Sequence, residues 1–262
     1  PLCSESLFKV NMLLLFVTVP PFFMTAATSA EFLQNVGAIL LTLGLLPLLA
    51  GSFNLLITAK SNAEAIVKNP GAFAATGAML LLPLYAVGGY FTSMDVFVGL
   101  GNLGTMATTV DQGFMYTVGG LMMLASVFTA YPLAARKLLA STSNAQLAVW
   151  LTIVGGLMST VIRLMGDFTN QAVANSGVED AVANSGGFLL VASSMYYLCA
   201  IATIITAQVM IRTGTRGNAD AVLQSATSDI NAYTLVEGTT TIRTLLGRGV
   251  GIDTELNIGH SE

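Results

Sequence analysis

The sequence predicts an all-α polytopic membrane protein with six transmembrane helices, a polar C-terminal tail and both termini in the cytoplasm. Of the 262 residues, 54% are hydrophobic and only 9% are charged, against roughly a quarter charged in an ordinary soluble domain. Six apolar runs each approximate or exceed the ~20 residues with which a helix crosses a bilayer. Because a chain inside lipid must satisfy its own backbone hydrogen bonds, these runs are expected to be helices.

The six runs fill most of the chain before residue 212. They extend from Val10 to Ala27, Phe32 to Thr58, Ala72 to Phe91, Phe114 to Ala135, Leu147 to Met165 and Gly187 to Ile211. Only Arg163 interrupts the fifth run. The first run can also be interpreted as a cleaved signal peptide, because Lys9 precedes it and small residues lie at its end.

The C-terminal part of the chain differs in composition. Residues 1–212 are predicted to form the six-helix transmembrane domain, and residues 213–262, rich in Thr, Gly, Asn and Asp, a polar cytoplasmic tail. Short segments of this tail favour helix, but isolated helices below about 12 residues are marginal in water. The tail is therefore interpreted as a partner-binding or disordered segment.

Positive charge predicts the orientation of the six runs. Lys and Arg in short loops tend to stay on the cytoplasmic side of a membrane. They occur before the first run and in alternate connections, at Lys9, Lys60, Lys68, Arg136, Lys137, Arg212 and Arg216. The other connections carry acidic residues without Lys or Arg. This alternation predicts cytoplasmic termini and supports counting the first run as a span.

The chain offers few groups for catalysis or metal binding. Its only histidine, His260, lies beside the C-terminus, and its two cysteines, Cys3 and Cys199, are far apart. Haem, copper and non-haem iron inside a membrane bundle need imidazole or thiolate ligands from the helices. No phosphate-binding loop, activated nucleophile or nucleic-acid-binding basic patch is apparent. We therefore predict no catalytic, cofactor-binding or metal-binding residue.

Three ionisable residues near the spans, Asp111, Arg163 and Asp167, are the candidates for function. Charges inside a membrane are costly and often mark substrate or proton pathways. Arg163 and Asp167 are four residues apart on one predicted helix, so they share a face and are expected to neutralise each other. A proton or ligand role is the alternative, and Asp111, at the entrance of the fourth helix, is open to both interpretations.

Three segments share scattered Pro, Asn, Gly and Thr positions with a known family. The segments are residues 33–73, which contain Pro47, Asn54 and Thr58, residues 110–132, and residues 154–173. In order, they resemble the eighth, tenth and eleventh helices of the catalytic subunit of haem-copper oxidases, nearest to the cbb-type cytochrome c oxidase and nitric oxide reductase branch. The last span then corresponds to the twelfth helix, and the resemblance covers roughly residues 10–212.

The metal ligands of that family are absent from the matching positions. Where the seventh helix presents a His-His pair to copper, this sequence has Pro20 and Pro21, and where the tenth presents His-x-His to the haems it has Thr109 and Asp111. A hydroxyl and a carboxylate do not replace imidazoles in ordinary haem ligation. Six spans do not enclose the family's active site, so a separate chain is expected to supply the first six helices.

The resemblance without its ligands implies a non-catalytic integral membrane subunit that scaffolds a respiratory or other electron-transfer complex, in a bacterial or archaeal cell membrane. Haem and copper would then belong to partner subunits. Close helix contacts with neighbours are expected at small residues, namely Gly119, Gly120, Gly155 and Gly156. Two alternatives stay open: a transporter or proton-conducting module using the three ionisable residues, and half of a split oxidase subunit that contributes unusual ligands to a haem or copper site.

Overall fold

The computed structural model of the chain describes residues 6–7, 9–14, 16, 31–60, 63–93, 104–176 and 181–218. The described residues before 17 are helical. Between residues 31 and 218 the described chain forms seven α-helices: α1 (Glu31–Lys60), α2 (Ala63–Lys68), α3 (Pro70–Ser93), α4 (Gly104–Phe114), α5 (Gly120–Ala135), α6 (Thr142–Asn175) and α7 (Ala181–Arg216). A π-helical turn, Met115–Gly119, joins α4 to α5. The described residues contain no β-strand, which agrees with the predicted all-α class.

Four described helical segments are long and apolar enough to cross a membrane. They are Pro70–Gly89, Thr108–Ala135, Thr142–Val173 and Gly186–Arg216, and they coincide with the third to sixth predicted runs. Helix α1 covers the second run, where the apolar segment Leu45–Lys60 is shorter. Most of the first run and the tail beyond residue 218 lie outside the described residues, so the count of six spans stays a prediction.

Helices extend further than the apolar runs. Asp111, expected at the entrance of the fourth helix, lies within α4. Asp167, two residues past the end of the fifth run at Met165, lies within α6, which continues to Asn175. Helix α7 runs past residue 212 to Arg216. Hydropathy marks the part of a helix that lipid covers, whereas backbone hydrogen bonding continues into polar turns, so most of the helices are longer than their apolar runs.

The chain marks several helix ends with local hydrogen bonds. Asn69 Oδ1 accepts from the backbone N–H groups of Gly71 and Ala72 at 3.0 and 3.1 Å, with Pro70 as the first residue of α3, an arrangement that satisfies N–H groups left free at a helix start. Arg136 adopts a left-handed conformation, with φ of 55°, and ends α5.

The buried core lies between α3, α5 and α6. Its fully buried side chains include Ala74 and Ala78 on α3, Leu121 and Phe128 on α5, and Val149 on α6. Helix α1 packs against α3. Small side chains on α3 allow the larger side chains of α5 and α6 to fill the space between the three helices at close range.

Helix α7 packs along the length of α6. Ser159 Oγ donates to the backbone carbonyl of Ala192 at 2.8 Å near one end, and the Ala140 N–H donates to Thr213 Oγ1 at 3.0 Å near the other. Helix α7 has little contact with α5. Two helices on the same side of α6 therefore stay apart from each other.

Three connections with positive charge meet at one end of the bundle. Gln146 Nε2 donates to the carbonyl of Val67 at 2.5 Å, and Lys137 Nζ donates to that of Gly214 at 2.5 Å. The first contact joins α2 to the start of α6, and the second joins the α5–α6 connection to the end of α7. The basic residues of the predicted cytoplasmic loops in this region thus belong to the same end, although the side of the membrane that it faces stays a prediction.

Candidate functional site: a polar seam and a lateral groove

The polar side chains of the bundle concentrate where α6 crosses the helix formed by α4, the π turn and α5. We call this contact the polar seam. Its members are Thr109, Gln112, Gly113 and Thr117 on one side, and Gly156, Thr160, Arg163 and Asp167 on the other, with Tyr85 reaching in from α3.

Glycine allows the two helices of the seam to approach closely. A Cβ added to Gly113 would collide with Thr160, and one added to Gly156 would collide with Thr117. Membrane helices use small residues in this way to bring their backbones together. On the other face of α6, a Cβ at Gly155 would lie 2.8 Å from Leu198 Cβ of α7.

The expected role of the four glycines is therefore confirmed in part. Gly155 and Gly156 lie in tight helix contacts, with α7 and with the π turn respectively. An added Cβ at Gly120 would make an ordinary 3.5 Å contact with Thr152, and one at Gly119 would meet nothing within 4 Å. Gly119, the last residue of the π turn, and Gly120, the first residue of α5, thus do not bring helices together among the described residues.

Three buried hydroxyl groups form a directed chain in the seam. Tyr85 OH lies 3.0 Å from both Thr117 Oγ1 and Thr160 Oγ1, and Thr160 Oγ1 donates to the carbonyl of Gly156 at 2.8 Å. Each hydroxyl has one proton. Because Thr160 donates its proton to the carbonyl of Gly156, its oxygen accepts a hydrogen bond from Tyr85. The Tyr85 hydroxyl in turn accepts one from Thr117.

Arg163 and Asp167 do not neutralise each other as expected. Asp167 Oδ2 accepts from Thr109 Oγ1 at 2.6 Å, and Arg163 Nη1 donates to Gln112 Oε1 at 2.6 Å. The one ion pair among the described residues lies elsewhere, between Lys68 and Glu64. Both side chains therefore form short hydrogen bonds to residues of α4. They do so in preference to pairing with each other along α6.

Asp111 does not join the other two candidates. Its side chain is exposed, whereas Thr109, two residues earlier, is buried. Two residues along an α-helix turn about 200° around its axis. The positions at which the resemblance would place haem-ligating histidines therefore lie on different faces of α4, and Pro20 and Pro21 lie outside the described residues.

A lateral groove opens beside the seam, between α5 and α7. It encloses about 870 Å³ and has Arg163 and Gln112 among its lining residues. The rings of Tyr116 and Tyr196 meet in it edge to face, with centroids 5.2 Å apart. The hydroxyl of Tyr196 is shielded and has no hydrogen-bond partner among the described residues.

Sequence reasoning missed the hydroxyl chain and the groove. The π turn that carries Tyr116 and Thr117 has no hydropathy signature, because the run of apolar residues continues through it. A weak signal existed at Gly156 and Thr160, since a small residue one turn before a threonine favours a close polar contact between membrane helices. Nothing in the sequence indicated that α5 and α7 would separate.

The described residues contain no cluster of three or more His, Cys, Asp or Glu side chains placed to hold a metal ion. Comparison with protein-family models, with curated proteins and with solved structures finds no match for this chain. A role is therefore inferred from the sequence and from the geometry of the described residues. The seam offers hydrogen bonds that are already made, and the groove offers a cation and an open apolar wall.

Proposed function

We propose that this protein is a non-catalytic subunit of a respiratory or other electron-transfer complex, and that α7 packs against a transmembrane helix of another subunit. One observation carries the proposal. A row of side chains on α7, which we call the outer stripe, is left uncovered by the described part of the chain. Its members are Leu190, Ser194, Tyr197, Ile201, Ile204, Gln208, Ile211 and Thr215, all of them exposed.

The spacing of the outer stripe supports a helix as its partner. Successive members alternate between four and three residues apart, the repeat with which one helix packs into another. The opposite face of α7 has the same repeat and is buried against α6, for example at Ala202, Val209 and Thr213. A helix that has a packing repeat on both faces is suited to lie between two neighbours.

The polar members of the stripe favour protein over lipid as the partner. Gln208 makes no hydrogen bond to another described residue, and the side chain of Tyr197 is 70% exposed. Lipid tails offer no hydrogen bonds, whereas polar side chains on a second helix do. A partner helix with a donor or acceptor opposite Gln208 would form a hydrogen bond with the Gln208 amide and would also pack against the rest of the outer stripe.

The electron-transfer assignment rests on the resemblance to haem-copper oxidases and on the residues at its ligand positions. Thr109 is engaged with Asp167, and Asp111 lies on another face of α4. A subunit with an oxidase-like arrangement of helices but no histidine within them would pack beside redox centres that its partner subunits bind. We place such a complex in a bacterial or archaeal cell membrane, with cytochrome-bearing subunits beside α7.

Photocrosslinking in the native membrane tests the proposal. A photoreactive residue at Ile204, in the outer stripe, should form an adduct with a second membrane subunit, and the purified adduct should contain haem-bearing chains. The same residue at Leu80, exposed on α3, is the matched control and should give less of that adduct. Recovery of the protein as a lone, stable monomer with no adduct at Ile204 would reject the proposal.

A transporter or proton-conducting module is the second candidate, because the seam holds a carboxylate in contact with a neighbouring helix. Asp167 Oδ2 and Thr109 Oγ1 form a 2.6 Å bond, and carboxylates within spans are common members of proton relays. In proteoliposomes, Asp167→Asn should abolish ion or proton flux, whereas Asp111→Asn, at an exposed position, should not. Unaltered flux after Asp167→Asn counts against this candidate.

A further inference from the structure

The lateral groove follows the direction in which α5 and α7 cross the membrane. Its α7 wall runs from Ser193 to Met210, which is roughly 25 Å along the helix axis at 1.5 Å per residue. The hydrocarbon core of a bilayer is about 30 Å thick. The groove is therefore long enough to hold an acyl chain across most of the hydrocarbon core.

The deeper part of the groove presents an apolar surface despite its threonines. Thr152, Thr203 and Thr206 donate their hydroxyl protons to carbonyls of their own helices, at 2.8–3.0 Å. Their methyl groups are left to line the groove together with Met123 and Val127. Flexible methionine side chains adapt to irregular apolar ligands.

The other end of the groove carries a charge without a counter-ion. Arg163 is half-buried, contacts the neutral amide of Gln112, and forms no ion pair with a described carboxylate. It lies 21 residues after the start of α6 at Thr142, roughly 32 Å along the helix. That distance is about one hydrocarbon thickness from the basic end of the bundle, which puts the guanidinium at the level of lipid headgroups on the opposite side.

We propose that the lateral groove binds one anionic phospholipid, with its phosphate at the guanidinium of Arg163 and an acyl chain between α5 and α7. The guanidinium recognises phosphate through charge-assisted hydrogen bonds, and the apolar wall below it accepts the chain. Charge complementarity favours an anionic phospholipid over an apolar helix in the groove, because an apolar helix would bury the Arg163 guanidinium with no anion beside it. The site is separate from the outer stripe, so it does not depend on the proposed partner subunit.

Lipid titration of the purified full-length protein in neutral detergent tests the site. Phosphatidylglycerol should raise the thermal midpoint more than phosphatidylcholine with the same chains, and inorganic phosphate should have no effect because it lacks the chain. Loss of a charge-assisted contact corresponds to about a tenfold change in affinity, so Arg163→Gln should bring the two lipids to nearly equal affinity. Equal binding of both lipids by the unaltered protein would overturn the proposal, as would stabilisation by phosphate alone.

A second pair of variants keeps the test independent of Arg163. Met123→Trp places a large ring in the groove and should displace lipid retained through purification, as counted by native mass spectrometry. Met122, the adjacent residue, does not line the groove, and Met122→Trp should leave the retained lipid unchanged. Equal retention by the two tryptophan variants would also overturn the proposal, whatever the stability of Arg163→Gln.

Discussion

Tyr85 in the seam and Tyr196 in the groove differ in whether their hydroxyl groups have hydrogen-bond partners. Tyr85 OH connects Thr117 and Thr160, whereas the shielded hydroxyl of Tyr196 has no partner among the described residues. A buried hydrogen bond contributes about 0.5–1.5 kcal/mol, whereas an unsatisfied buried hydroxyl lowers stability. The same chemical change, loss of one oxygen, should thus have opposite effects at the two positions.

We expect Tyr85→Phe to lower the free energy of unfolding by about 1 kcal/mol, because Thr117 loses the acceptor of its proton. Tyr196→Phe should leave stability unchanged or raise it. Unfolding in mixed detergent micelles, followed by circular dichroism, gives both values. An equal loss in the two variants would mean that the hydroxyl chain does not stabilise the seam.

The close contact at Gly156 gives a second residue-level prediction. In Gly156→Ala, the added methyl group meets Thr117 and forces α6 away from the π turn, so we expect a loss of about 1–3 kcal/mol. Gly119→Ala is the matched control, because its methyl group would meet nothing within 4 Å. The same unfolding measurement applies, and similar behaviour of both variants would contradict the close approach of the helices.

At the scale of single elements, the π turn determines which residues of α4 and α5 face α6. Thr109 and Gly113, before it, contact α6, and Gly120, after it, faces Thr152 of α6. A π turn accommodates one extra residue in a helix without rotating the flanking segments out of register. The helix therefore keeps contact with α6 on both sides of the π turn.

Deleting Gly119 should convert the π turn to α-helix, so that α4 and α5 keep their contacts with α6 and the protein still folds. Deleting Met122, within regular α5, should rotate the preceding segment by about 100° relative to the rest and prevent folding. Gel filtration and thermal unfolding of the two deletion variants check this. A folded Met122 deletion would contradict the assigned role of the π turn.

Hydropathy predicts α3, α5, α6 and α7 because their cores are long apolar runs, and it misses what depends on contacts between helices. Whether Arg163 pairs with Asp167 or with Gln112 is decided by what α4 places opposite α6, and spacing along one helix does not contain that information. The separation of α5 from α7 is likewise a property of packing. The candidate residues Arg163 and Asp167 were found, but their partners were not.

At the scale of the whole molecule, the ends of α6 provide a test of orientation. Ser143 and Ala172 are both exposed and lie near opposite ends of this helix. The basic residues near Ser143 predict that its end faces the cytoplasm. In a variant without Cys3 and Cys199, a cysteine at Ala172 should react with an impermeant maleimide on intact cells. A cysteine at Ser143 should react only after permeabilisation, and the reverse pattern would invert the predicted topology.

The close pairing of α7 with α6 bears on how the chain is made. Helix α6 ends at Asn175 and α7 begins at Ala181, so the two leave the ribosome in succession and can enter the translocon as one antiparallel hairpin. The helices synthesised earlier already contain the α3–α5 contacts. Helices α6 and α7 can therefore join the helices made before them as one hairpin, and the exposed flank of α7 becomes available for assembly only after that step.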